Sequence, residues 1–121
     1  MSTNYFKKEE FRCRDECGKK DMQPALVKAL NVARSLADVP FVIDSGVRCK
    51  KHNESKAVGG SPTSSHLKGW AVDIRVPDSH TRNRVIEGLV LAGFDRYGVY
   101  PTFIHADMDP DKEPEVTWIG E

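Results

Sequence analysis

Apolar residues recur at helical spacing from Leu26 through Ala29, Leu30, Ala33 and Leu36 to Ala37, and the pattern then gives way to short strand-like runs. The stripe predicts a helix opened by Asp21 and by Pro24, since proline is tolerated in a first turn. Asp38-Val39-Pro40 closes it, because a proline disfavours helix in the residue before it. Phe41-Val42-Ile43 follows as a short buried strand. Ser45-Gly46-Val47-Arg48 turns out of it into a polar loop holding His52, Asn53, Gly59, Gly60 and Pro62. From Ala71 to Val76 the period is two: Val72, Ile74 and Val76 face one side, Ala71, Asp73 and Arg75 the other, as in a strand with one face on the core.

A second helix is expected from Asp78 or Ser79, with Val85, Ile86, Leu89 and Val90 turned inward and a stop at Gly93. Arg96 to Tyr100 and Phe103 to Met108 form two strands around Pro101-Thr102. Val116-Thr117-Trp118-Ile119 adds an edge strand after the polar loop Asp109 to Glu115. Tyr5 to Lys20 is an amino-terminal arm anchored by Phe6 and Phe11. The expected architecture is α+β, with two main helices on one face of a small, mostly antiparallel sheet.

A chain of 121 residues fits one domain, residues 1–121 with 1–20 as the arm. Lys plus Arg and Asp plus Glu number 18 each, so no basic field draws the chain to nucleic acid. No apolar run approaches the roughly 18 residues of a membrane span. Met1 to Lys20 lacks the apolar centre of a signal peptide, so synthesis in a cytoplasm is expected, with any target outside it reached by another route. Cys13, Cys17 and Cys49 are too few for a disulfide framework and are expected to be free thiols.

The candidate chemistry lies in Ser64-Ser65-His66-Leu67-Lys68-Gly69-Trp70-Ala71-Val72-Asp73, answered by His105-Ala106-Asp107. Two imidazoles and a carboxylate are the usual protein ligands of a catalytic zinc, which keeps a fourth position for water or substrate. Alternation turns Asp73 away from the core and puts Phe103, His105 and Asp107 on one face. If the two strands are antiparallel neighbours, opposed side chains start about 4.5–5.5 Å apart, a gap that one ion can bridge. His66 would come from the preceding loop, where Gly69 lets the backbone turn close to the site. Taken singly, each residue also has a plain structural explanation; the combination is what points to a metal.

The pattern Ser64-x-His66-x-x-Gly69-x-Ala71-x-Asp73, followed by Phe103-Ile104-His105-Ala106-Asp107, resembles the zinc D-alanyl-D-alanine peptidases of bacterial cell walls. Ser45-Gly46-Val47-Arg48, His52-Asn53, Val58-Gly59-Gly60 and Trp118 extend the likeness from about Tyr5 to Trp118, and it is nearest to small phage and bacterial members. That resemblance implies the fold shared with the hedgehog signalling domain and lysostaphin-type peptidases. It implies one zinc ion on His66, Asp73 and His105, and a monomer acting on peptidoglycan stem peptides, as an endolysin or in wall remodelling. It also implies that Arg48 holds an oxyanion or a substrate carboxylate, and that Ser64 contacts substrate or orients His66.

One feature departs from the family. Relatives carry a His two residues before the last ligand or an acidic residue three before it; this chain has Phe103 and Thr102. Asp107 can serve as the general base or can orient a ligand, with Glu115 in reserve, while His52 and His80 are expected to be structural or exposed. Ser65-x-x-Lys68 fits the serine motif of penicillin-binding enzymes, but their Lys-Thr-Gly and Ser-Asp-Asn elements are missing. The main alternative is a zinc-containing binding or virion-structural module of the same fold without catalysis.

Overall fold

The computed structural model describes residues 4–13, 21–48 and 64–121. Pro24 occupies the first turn of helix α1 (Pro24–Ala37), whose cap position is Gln23. Asp21, expected to open the helix, instead pairs with Lys8 at 2.9 Å. Leu26, Leu30, Ala33 and Ala37 form the buried stripe. Leu36 lies roughly 100° round the helix from Ala37 and is 43% exposed, contrary to expectation. Asp38 ends the helix in the left-handed region at φ 55°, its N–H donating to the Arg34 carbonyl.

Strand β1 (Ile43–Ser45) begins two residues later than expected. The Val42 carbonyl still accepts from the Arg75 N–H at 2.9 Å, but the Val42 side chain is exposed. An edge strand has one neighbour, and this one carries a register irregularity between Ile43 and Ser45. Strands β2 (Ala71–Arg75), β3 (Arg96–Val99), β4 (Phe103–Asp107) and β5 (Val116–Ile119) complete a sheet of order β1-β2-β4-β3-β5. Every pairing is antiparallel except β3–β5. The parallel pair arises because the chain leaves β4, passes β3 and sets β5 beyond it, so the sheet is mixed at one edge.

Helix α2 (Ser79–Leu91) is capped by Asp78, whose carboxylate accepts from the Thr81 N–H at 2.7 Å. It ends before Gly93, at φ 96°. Val85 and Leu89 are buried; Val90 is not, and joins Leu91 at the surface. Both helices pack with Val72, Ile74, Ile104 and Ala106 in one core, which also takes Phe6 and Phe11 of the arm and Phe41. The helices therefore cover the Val72 face and leave the Asp73 face for the site. That second face is not solvated at β2, since Ala71 and Asp73 are buried as well.

Candidate metal centre

Strand register builds the centre. Asp73 opposes His105 across β2–β4, His105 opposes Gly98 across β4–β3, and Gly98 opposes Trp118 across β3–β5. Ser45 opposes Asp73 on the other side. One transverse row thus carries a hydroxyl, a carboxylate, an imidazole, a glycine and an indole. His66 reaches the row from a 3-10 turn, Ser65–Lys68, just before β2. Ser64 caps that turn, accepting from the His66 N–H at 3.3 Å, and Gly69 leaves it in the left-handed region at φ 75°.

The two imidazoles aim the same kind of atom at the same oxygen. His66 Nδ1 lies 2.7 Å from the Gly46 carbonyl, which only accepts, so Nδ1 carries the proton. Its Nε2 is then a bare lone pair 3.4 Å from Asp73 Oδ1. His105 Nε2 donates to Asp107 Oδ2 at 2.7 Å, which leaves Nδ1 facing Asp73 Oδ1 at 3.1 Å. The three ligand atoms all lie within 4.8 Å of one another. Ligand bonds of about 2.0–2.1 Å in a tetrahedron give edges of roughly 3.3 Å, close to the two contacts on Asp73. His66, Asp73 and His105 therefore fit one divalent ion, with outward nitrogens held in the manner of metal-binding histidines.

Electrostatics follow from the same contacts. Burial alone would raise the Asp73 carboxyl, but hydrogen bonds and charge from His105 and His66 hold it far below the usual carboxylate range. Burial lowers His66 and outweighs Asp73. Burial also opposes the charged form of His105, yet Asp107 and Asp73 together raise it. Arg48 sets its guanidinium 3.4 Å from Asp73 Oδ2, donates from Nε to Ser45 Oγ at 3.1 Å, and bonds through its own N–H to the His66 carbonyl at 3.0 Å.

Asp107 lies beside His105 and contributes to the lining of the cleft. It is 1% exposed, and its second oxygen accepts from Arg96 Nε at 2.7 Å. Arg96 is tied in turn to the Glu113 carbonyl. Both oxygens are engaged, as the orienting alternative for Asp107 requires, while its place in the cleft lining is the one the general-base alternative requires. Glu115 is exposed and does not line the cleft. His80 is exposed on α2. His52, Asn53, Cys17, Cys49 and Val58-Gly59-Gly60 lie outside the described residues, while Cys13 is buried. Lys68, the lysine of the serine-enzyme motif, pairs with Asp109 at 2.7 Å, and the Ser65 hydroxyl donates to the same carboxylate at 2.8 Å. Neither is free to form a nucleophile and its base.

The cleft over the centre, about 340 Å³, is lined by Arg48, Ser64, Ser65, His66, Asp73, His105 and Asp107 together with Arg96, Tyr100, Phe103, Lys112 and Trp118. Arg96, Tyr100 and Lys112 do not stand out in the sequence. Gly98 is the signal that could have revealed this wall, because a glycine inside a strand marks close approach. A Cβ there would come within 2.2 Å of the Trp118 indole, which crosses Gly98 to lie 5.3 Å from the His105 ring. A larger concavity of about 590 Å³ between the arm and α1, lined by Phe6, Phe11, Met22 and Val27, lies apart from these groups.

No curated protein matches the chain at a significant level. A family model described as peptidase M15 matches residues 4–107, a span that takes in Arg48, His66, Asp73 and His105. With the match covering most of the sequence, the chain belongs to the peptidase M15 family, whose members are zinc-dependent peptidases.

Proposed function

We propose that this protein hydrolyses peptide bonds in peptidoglycan stem peptides, as a zinc-dependent D,D-carboxypeptidase or endopeptidase. The phage-lysis or wall-remodelling setting and the monomeric state belong to the same reading. The observation that carries it is the convergence of His66 Nε2 and His105 Nδ1 on Asp73 Oδ1 at 3.4 and 3.1 Å, beneath a cleft open to a peptide. When bound, zinc supplies Lewis acidity toward a carbonyl and a water acidified toward neutral pH.

The chain's own residues do the rest. Gly46 and Asp107 hold the outward nitrogens of His66 and His105, fixing both rings. Arg48, anchored on Ser45 and Asp73, presents a cation to the cleft that suits a developing oxyanion or a terminal carboxylate. Ser64 holds the His66 turn. Trp118, Tyr100 and Phe103 wall the cleft and exclude water from one side.

A second reading rests on one observation: Thr102 and Phe103 stand where relatives carry an acid or a histidine, and both oxygens of Asp107 are already engaged by His105 and Arg96. A zinc-bearing binding or virion-structural module would keep the same three ligands without cleavage. Incubating purified cell walls with the zinc-loaded protein, with and without chelator, separates the two. Chelator-sensitive clearing supports the peptidase, and intact walls at full zinc occupancy reject it. Mass spectrometry of the released muropeptides identifies the bond cut.

A further inference from the structure

We infer that Tyr100 is a substrate-contacting residue, its hydroxyl donating a hydrogen bond to the scissile carbonyl oxygen as that oxygen gains charge; this rests on the peptidase reading above. Tyr100 directly follows β3 and lines the same cleft as His66, Asp73 and His105. Sheet order puts it on the β3–β5 side of His105, whereas Arg48 follows β1 at the opposite edge. Donors would therefore reach the reacting carbonyl from both sides of the metal group.

The ring is held for this purpose. It stacks on Phe103 with centroids 4.4 Å apart and planes 9° from parallel. Against it lies Gly120, where a Cβ would fall 1.8 Å from the ring, so any larger residue would displace it. The hydroxyl is oriented too. Trp118 Nε1 donates to it at 3.1 Å, and an indole N–H cannot accept. The Tyr100 oxygen is thus an acceptor toward Trp118, and its own proton has no acceptor among the described residues. The result is a preoriented donor beside a metal group, in a cleft where such donors stabilise developing charge most. No bond to Tyr100 forms or breaks: the phenol keeps its proton throughout.

Tyr100→Phe removes one oxygen and leaves the ring to stack on Phe103. The first measurement is calorimetric titration of the zinc-loaded protein with dimethylphosphinate, a tetrahedral oxyanion that needs no particular peptide. Affinity is expected to fall about tenfold, as for loss of one hydrogen bond to a charged oxygen, with zinc affinity by chelator competition unchanged. Equal phosphinate affinity in the two proteins, or binding by neither, overturns the assignment. The second measurement is hydrolysis of stem-peptide fragments, where the loss should lie in kcat with KM held. Unchanged kcat also overturns it. A wild type that binds phosphinate through Tyr100 yet cuts no wall peptide would sink the peptidase reading alone.

Discussion

His105 Nε2 donates to Asp107 Oδ2 at 2.7 Å, so the carboxylate two residues along the same strand fixes which nitrogen of the imidazole faces Asp73. Strand alternation alone sets this pair on one face, and Arg96 holds the other Asp107 oxygen. Burial by itself would raise the Asp107 carboxyl; His105 and Arg96 bring it below its ordinary value, so it stays ionised and accepts.

Asp107→Asn is expected to weaken zinc binding by about 10–100-fold, the usual cost of losing an outer partner of a metal-binding histidine. Activity should largely return when zinc is raised to saturation. Chelator competition and hydrolysis at saturating zinc check this. A loss of about 10²-fold or more that persists at full occupancy would instead mark Asp107 as the base.

Zinc should raise the melting temperature of the wild type and leave His66→Ala unmoved, because a ligand stabilises only the state that binds it. The gain is about 4 kcal/mol at a thousandfold excess over the dissociation constant. Affinity should also fall with pH. His105 is raised by Asp107 and Asp73 against the effect of burial, so its proton competes with the ion from above the ordinary imidazole range of about 6.5 downward. A zinc shift retained by His66→Ala, or a pH-independent affinity, contradicts the ligand set.

Much of this was legible in the chain because β2 and β4 alternate strictly. Val72 and Ile74 against Asp73, and Ile104 and Ala106 against His105, fix both face and neighbour once antiparallel pairing is granted, and the register does place Asp73 opposite His105. The helices were legible from their stripes, with errors at Leu36 and Val90, where an apolar residue at the margin of a stripe faces outward. The far wall was not. Tyr100, Trp118 and Arg96 meet only because β5 crosses to lie parallel beside β3, a pairing that short-range periodicity does not encode. Asp107 was placed on the right face, but its bond to Arg96 depends on β3 lying next to β4 in a register that the sequence pattern does not give.

Gly98→Ala should disrupt that wall. The added methyl would collide with the Trp118 indole, 2.2 Å from Nε1, and either the indole or β3 must move. Overpacking of this kind costs about 1–3 kcal/mol. The indole lies against His105 and holds the Tyr100 hydroxyl, so near-ultraviolet dichroism should change along with the melting temperature. An unchanged aromatic spectrum would mean that the indole does not cross Gly98.

Asp109 ties the two halves of the centre together. Its carboxylate accepts from the Ser65 hydroxyl and from Lys68, on either side of His66, while its own N–H donates to Asp107 Oδ1 at 3.3 Å. Burial would raise this carboxyl, but Lys68, the Asp111 N–H and Ser65 together lower it. A carboxyl lowered on folding stabilises the native state above its unfolded value, near 3.9, and that contribution is lost as pH falls through the folded value. Lys68 is 40% exposed, so solvent screens the charge pair, and the buried bond to Ser65 and the part-buried bond to the Asp111 amide add to what remains of it. Asp109→Asn should therefore cost about 1 kcal/mol at neutral pH, roughly 4 °C in melting temperature. The gap between variant and wild type should begin to narrow as pH drops below about 4, the unfolded value, and close as pH passes the lowered folded value, where the native carboxyl takes up its own proton. Thermal melts of both zinc-free proteins across that range decide it: a gap that stays constant or widens in acid would remove Asp109 from the clamp.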